Sequence, residues 1–95
     1  EVVVISDYNK GVLNKNLISN IIKISKQNNK IIIVDPKRKD FSIYSNADII
    51  TPNFKELLQA TNFPEDSENS DELVEKLSKA IARKYSFSNV ITTRS

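Results

Sequence analysis

The chain has 95 residues, a net charge of +2, a single glycine, and no cysteine, histidine, methionine or tryptophan. That length allows one small domain at most, and the missing residue types exclude a disulfide scaffold, thiolate and imidazole metal sites, and Ser-His-Asp, Cys-His or zinc-hydrolase chemistry. With Gly11 alone neither a GxGxxG fingerprint nor a GxxxxGK[ST] loop can form, the near balance of charge gives no nucleic-acid or membrane argument, and no apolar run approaches the ~20 residues of a membrane span.

The predicted elements alternate. Residues 2–6 (VVVIS) are a β-branched apolar run of the kind buried on both faces of a parallel sheet. Glu1 runs straight into it, so no signal peptide is visible. A polar loop, Asp7 to Leu13, follows. Leu17, Ile18, Ile21, Ile22 and Ile24 then recur at helical spacing, which predicts a helix over about 14–27 with Asn14 or Asn16 as its cap and Asn28-Asn29 at its end. Residues 30–34 (KIIIV) form a second strand, stopped by Asp35-Pro36, because proline pushes the preceding residue out of the helical region.

Residues 36–47 are polar apart from Phe41, Ile43 and Tyr44 and read as a loop with a short helical turn. A third strand over 48–51 (DIIT) leads through Pro52 into a short helix over about 53–61. After the loop NFPEDSEN, Leu73, Val74, Leu77, Ala80 and Ile81 mark a longer helix over about 70–86, and 89–93 (NVITT) is a fourth strand. The acidic stretch from Glu65 to Glu72 reads as a solvated loop and helix start. Helix-sized connections between apolar strands require parallel pairing with right-handed crossovers, so the fold class is α/β. The chain lacks an initiator methionine and opens and closes in strand-like segments, which suggests a piece of a longer polypeptide with unpaired strand edges and uncovered apolar surface.

In open parallel sheets ligands bind beyond the carboxyl ends of the strands. That edge collects Ser6, Asp7, Tyr8, Lys10 and Gly11 from the first strand, and Asp35 to Arg38 from the second. Thr51, Asn53 and Glu56 follow the third, and Thr92, Thr93 and Arg94 the fourth. Carboxylates, amides, hydroxyls and cations in one place suit a phosphorylated, hydroxyl-rich ligand with Mg²⁺. Each also has a plain structural reading. Asp7 can cap a turn, Asp35-Pro36 can simply end a strand, and Lys37-Arg38-Lys39 can be a solvated basic cluster. Asn53-x-x-Glu56 has the spacing of a capping box, in which the first side chain bonds the N3 amide and the glutamate reaches back. A cap of this kind also pre-organises a site, because it stands at a helix start on the ligand edge.

Four segments, SDYNKG (Ser6 to Gly11), VDPKRKDF (Val34 to Phe41), ITPNFKEL (Ile50 to Leu57) and VITTRS (Val90 to Ser95), occur in this order across essentially the whole chain. Together they resemble the ribokinase-like (PfkB) carbohydrate kinases, and among these the heptose-7-phosphate kinase domains of ADP-heptose synthesis. The resemblance implies the central part of a three-layer α/β/α fold with a mostly parallel sheet of about four strands and three to four helices. Residues 1–95 would be a partial kinase domain, with the amino-terminal sugar-binding and lid part and the carboxyl-terminal DTxGAGD part lying elsewhere.

The implied reaction is in-line transfer of the ATP γ-phosphate to the 1-hydroxyl of D-glycero-β-D-manno-heptose 7-phosphate, in lipopolysaccharide core biosynthesis. The implied cofactors are ATP and Mg²⁺. Asn53, Phe54, Lys55 and Glu56 fall in the ATP-contacting segment, with Asn53 donating to phosphate and Glu56 organising Mg²⁺ through water. Asp7, Lys10 and Lys37 are candidates for phosphate or sugar contacts. The family's general base is the last aspartate of DTxGAGD, which this sequence lacks, so the 95 residues alone are expected to be inactive. The resemblance further implies a cytoplasmic homo-oligomer acting on small molecules, with no nucleic-acid or membrane partner, and with a nucleotidyltransferase domain as a possible fusion. The competing expectations are another sugar kinase of fructokinase type, or an α/β fragment without a ligand; a phospho-receiver fits poorly, because Asp7 lacks an acidic neighbour and Asn53 follows Pro52.

Overall fold

Val2 to Ser6 (β1) pairs residue for residue with Ile31 to Asp35 (β2), in parallel, from Val2–Ile31 through to Ser6–Asp35. The computed structural model describes residues 1–6 and 15–93. Between these strands lies α1 (Lys15–Gln27). After β2 come a 3₁₀ turn over Phe41–Tyr44, β3 (Ile49–Ile50), α2 (Phe54–Ala60), α3 (Asp71–Tyr85) and β4 (Asn89–Val90). All strand pairs are parallel, in the spatial order β1-β2-β3-β4. The sequence therefore predicts the element order and the parallel pairing correctly.

Strand order follows chain order without reversal, so right-handed crossovers put every connection on the same side of the sheet. One core forms there. Ile5, Ile32, Val34 and Ile50 of the sheet pack with Ile18 and Ile22 of α1, Leu57 and Leu58 of α2, and Leu77 and Ile81 of α3. Phe41 and Tyr44 of the 3₁₀ turn are fully buried in it, ring edge to ring face at 5.9 Å. The sheet's other face is different. Val4 is 65% exposed and Val2 55%, with Ile31 and Ile91 also open to solvent. The expectation that VVVIS is buried on both faces is thus corrected: alternation in β1 turns Val3 and Ile5 inward and Val2 and Val4 outward, and no described helix lies on the outward side. The described residues supply two layers, helices over a sheet.

Two details of α1 also depart from expectation. Ile18, Ile22 and Ser25 form its buried stripe, whereas Leu17 and Ile24, seven residues apart on the flank, are exposed. Asn16 lies inside the helix rather than capping it, and Asn14 lies outside the described residues. The third and fourth strands have short ladders, but the chains stay paired beyond them, through Ile91 N–H to the Ile50 carbonyl and Thr93 N–H to the Pro52 carbonyl, both 3.0 Å.

The three α-helices end alike. In each, a residue in the left-handed region is followed by an N–H that returns to the carbonyl five residues back. The pairs are Lys30 to Ser25 after Asn29 (φ 58°), Phe63 to Leu58 after Asn62 (φ 56°), and Phe87 to Ala82 after Ser86 (φ 61°). Glycine usually fills this position; here asparagine serves twice and serine once. At the opposite end of α3, Ser70 Oγ accepts from Leu73 N–H at 3.2 Å, and Asp71 and Glu72 stand in the first turn where the helix dipole favours them. None of the described helices is long and apolar enough to cross a membrane.

Candidate active site

Asn53 is placed by backbone on both sides. It bridges in parallel to Thr93, and the next N–H, of Phe54, donates to the Thr93 carbonyl at 3.0 Å. Its own torsions are extended, which suits the residue before a helix. Its Oδ1 accepts from Glu56 N–H at 2.7 Å, and Glu56 Oε1 accepts in return from Asn53 N–H at 2.9 Å. The capping box read from the spacing is present with both of its bonds.

Glu56 has a second oxygen to place. Oε2 lies 3.5 Å from Lys37 Nζ, and Lys37 Nζ lies 3.4 Å from Asp35 Oδ1. Glu56 is the most buried of the three, with its side chain 16% exposed. Burial disfavours the charge on Lys37, but the carboxylates of Glu56 and Asp35 outweigh it and raise the ammonium above its ordinary value of 10.5. Lys37 is held from behind by its backbone N–H, 3.5 Å from the Tyr44 hydroxyl in the core.

These groups border an open cleft of about 430 Å³ at the carboxyl ends of the strands. Ser6 from β1, Asp35 and Lys37 after β2, Thr51, Asn53 and Glu56 after β3, and Thr93 after β4 all reach it, above a floor of Val4 and Ile33. A groove of about 480 Å³ between α1 and the 3₁₀ turn is somewhat larger, and one of about 380 Å³ runs between α3 and β4. Among the described residues the first holds no carboxylate, and the second carries its carboxylates and lysine (Asp71, Glu75, Lys79) along the flank of α3, with Glu75 and Lys79 paired in solvent. Of the three, only the strand-end cleft gathers such groups at the carboxyl ends of the strands, and so it is the candidate site.

Of the residues singled out in the sequence for phosphate, sugar or nucleotide contacts, Lys37, Asn53 and Glu56 meet here, together with Ser6, Asp35, Thr51 and Thr93 of the strand-end set. Phe54 and Lys55 do not line the cleft. Phe54 packs half-buried against the core, and Lys55 is exposed. Asp7, Lys10 and Arg94 lie outside the described residues. Asp35, placed on this edge by the sequence, has the further role of partner to Lys37, which the strand-stop reading of Asp35-Pro36 does not suggest.

The donor set can be tested against Mg²⁺. Among the described residues no group of three or more acidic side chains converges on a metal position. Asp35 and Glu56 are the described carboxylates that line the cleft, so a cation here would need ligand phosphate oxygens and water for the rest of its shell. That is how Mg²⁺ is usually held beside nucleotides, so the residues fit.

No family model matches the chain. It is similar to curated proteins named bifunctional protein HldE. The one from Campylobacter jejuni subsp. jejuni is 45% identical over 85 residues, 88% of this chain and 18% of that protein. The one from Paramagnetospirillum magneticum is 42% identical over 94 residues, 99% of this chain and 19% of that protein. The chain therefore spans less than a fifth of the length of these relatives. Among solved structures, phosphofructokinase-2 from Escherichia coli in complex with fructose-6-phosphate matches with a TM-score of 0.77 at 19% identity, over 99% of this chain and 31% of that one. That likeness shows a shared ribokinase-like fold.

Proposed function

This chain is a ribokinase-like homologue of one segment of the bifunctional HldE proteins, and on that premise we propose that the intact protein carrying it is an ATP-dependent sugar kinase. Its substrate in this reading is D-glycero-β-D-manno-heptose 7-phosphate, phosphorylated at the 1-hydroxyl on the route to ADP-heptose and the lipopolysaccharide core. The observation that carries the reading is the reciprocal lock between Asn53 and Glu56 at the strand ends, with the second Glu56 oxygen turned toward Lys37.

Each residue then has a task its geometry suits. Asn53 spends its side-chain oxygen on the cap, and its amide NH₂ remains to donate to phosphate. Glu56 is fixed through Oε1, and its Oε2 would hold Mg²⁺ through water. Lys37 would offset phosphate charge. Mg²⁺, when bound, neutralises charge on the phosphate oxygens. Such a site contributes positioning and electrostatics rather than covalent chemistry. Phe54 supports the turn from the core side, and Lys55 is a solvent-facing candidate for the nucleotide. Asp7 and Lys10 remain proposals for the sugar-phosphate side.

The general base is proposed to be an aspartate of a DTxGAGD motif outside these 95 residues, which by themselves should not turn over. A cytoplasmic location, a homo-oligomeric state and a second, nucleotidyltransferase activity belong to the same proposal; the word bifunctional in the relatives' name supports the last. The test is an ATP-dependent transfer assay of the intact protein on heptose 7-phosphate and on fructose. The reading expects heptose 7-phosphate to be phosphorylated, with Glu56→Gln lowering the rate by about a hundredfold or more. Preference for fructose, or a rate indifferent to Glu56, contradicts it.

A further inference from the structure

Lys37 sits where a cation belongs. Its ammonium is shared between Asp35 Oδ1 at 3.4 Å and Glu56 Oε2 at 3.5 Å. Both distances exceed the roughly 2.7–2.9 Å of a committed charge-assisted hydrogen bond. The ammonium therefore bridges the two carboxylates through long contacts, with neither close enough to dominate. Its side chain is 36% exposed, on a flexible stem, whereas Glu56 is anchored by Asn53 and cannot follow it. One partner of the pair can leave and the other stays.

We propose that Lys37 guards the metal position: it keeps bare divalent cations off Glu56 and favours the metal only when that metal comes with a nucleotide. This rests on the kinase reading of the same cleft. Lys37 offsets one of the two carboxylate charges there. Without it, two carboxylates face one opening and attract any dication. With it, one of those charges is offset and the ammonium competes for Glu56 Oε2, so a bare dication is held less tightly, whereas a metal–nucleotide complex brings phosphate oxygens that take the ammonium in place of Glu56. The lysine thus shifts the preference of the site from a bare dication toward a metal–nucleotide complex. Metal order follows from this: Glu56 is released for the metal at the moment phosphate arrives.

Mn²⁺ titrations of the intact protein followed by electron paramagnetic resonance test this, without and with a non-hydrolysable ATP analogue. Glu56→Gln supplies the background from other cation sites. Lys37→Met should bind bare Mn²⁺ about tenfold more tightly than the unsubstituted protein and the Mn²⁺–nucleotide complex about tenfold more weakly. A merely structural role would lower both affinities, not move them in opposite directions. Lys37→Arg should restore both, and the gain in bare Mn²⁺ binding should vanish in Lys37→Met/Glu56→Gln. Lys37→Gln repeats the measurement with a polar replacement. Unchanged or weaker bare Mn²⁺ binding in Lys37→Met and Lys37→Gln overturns the proposal, as does a gain that survives Glu56→Gln. Should Mn²⁺–nucleotide binding prove independent of Asn53 and Glu56, the kinase reading falls, while the arm with bare cation still reports on Lys37.

Discussion

Asn53 and Glu56 hold each other across one helical turn, Oδ1 of the first on the N–H of the second at 2.7 Å and Oε1 of the second on the N–H of the first at 2.9 Å. The two bonds satisfy backbone donors that the start of α2 would otherwise leave open. They use one polar atom of each side chain and leave one over. A stabilising cap and a binding site can therefore occupy the same two residues, and substitutions can separate the two roles.

Asn53→Ala should cost about 1 kcal/mol of stability through loss of the cap. Asn53→Asp should cost little, because aspartate caps as well as asparagine. It nevertheless replaces the amide NH₂ with an anion, so nucleotide binding should fall in Asn53→Asp although the unfolding midpoint holds. Denaturant unfolding beside a nucleotide titration reads both; a nucleotide affinity that tracks stability alone would remove the phosphate role of Asn53.

Ser86 is exposed and left-handed, with φ 61° and ψ 40°. Ser86→Gly should stabilise the protein by about 0.5–1 kcal/mol, since a β-carbon is disfavoured there. Asn29→Gly and Asn62→Gly should gain less, because asparagine tolerates this region better than serine. Urea midpoints of the three variants provide the check, and a destabilised Ser86→Gly would contradict the account of the α3 terminus.

Asp48 works at the end of the sheet away from the site. Its carboxylate accepts from Ile32 N–H at 2.7 Å and from Lys26 Nζ at 3.0 Å. Burial pushes its carboxyl up, but the Ile32 N–H and the Lys26 charge outweigh burial and hold it below its ordinary 3.8. The unfolded chain thus takes up the proton first. The contribution is complete above 3.8 and is lost as pH falls through the folded-state value. Asp48→Asn should lower stability at neutral pH by about 1–2 kcal/mol and flatten the acid limb of the stability–pH curve. An unchanged acid limb would deny Asp48 this role.

The uncovered sheet face, with Val2, Val4, Ile31 and Ile91, has a consequence for the 95-residue polypeptide made alone. Exposed apolar patches of this kind drive association. Sedimentation velocity should show concentration-dependent self-association, reduced by Val4→Glu with Ile31→Glu. A monomer at all concentrations would contradict this.

Local features were legible in the sequence, and features set by chain path were not. The strand–helix alternation and the capping box depend on residues a few positions apart, so VVVIS, KIIIV and Asn53-x-x-Glu56 could be read directly. Which faces are covered depends on the direction of every crossover. A run such as VVVIS looks the same whether helices lie over one face or two, and so Val2 and Val4 were expected inside. Leu17 and Ile24 misled for a related reason: they extend the apolar stripe of α1 beyond the width its neighbours cover. The meeting of Lys37 with Glu56 spans nineteen residues and three elements of chain, and no local pattern announces it. The left-handed Ser86 carried no signal either, because glycine, the usual marker, is absent there.

The central claim is that the Asn53–Glu56 cap is also the metal–nucleotide site, and Glu56→Gln in the intact protein tests it most directly. Glutamine keeps an oxygen for the Asn53 N–H, so the cap survives, whereas the charge offered to Mg²⁺ is gone. Calorimetric titration with Mg²⁺ and a non-hydrolysable ATP analogue, beside a thermal melt, reads both roles. The account predicts a melt close to that of the unsubstituted protein and Mg²⁺–nucleotide affinity lower by about tenfold or more. Affinity unchanged in a folded Glu56→Gln protein would contradict it.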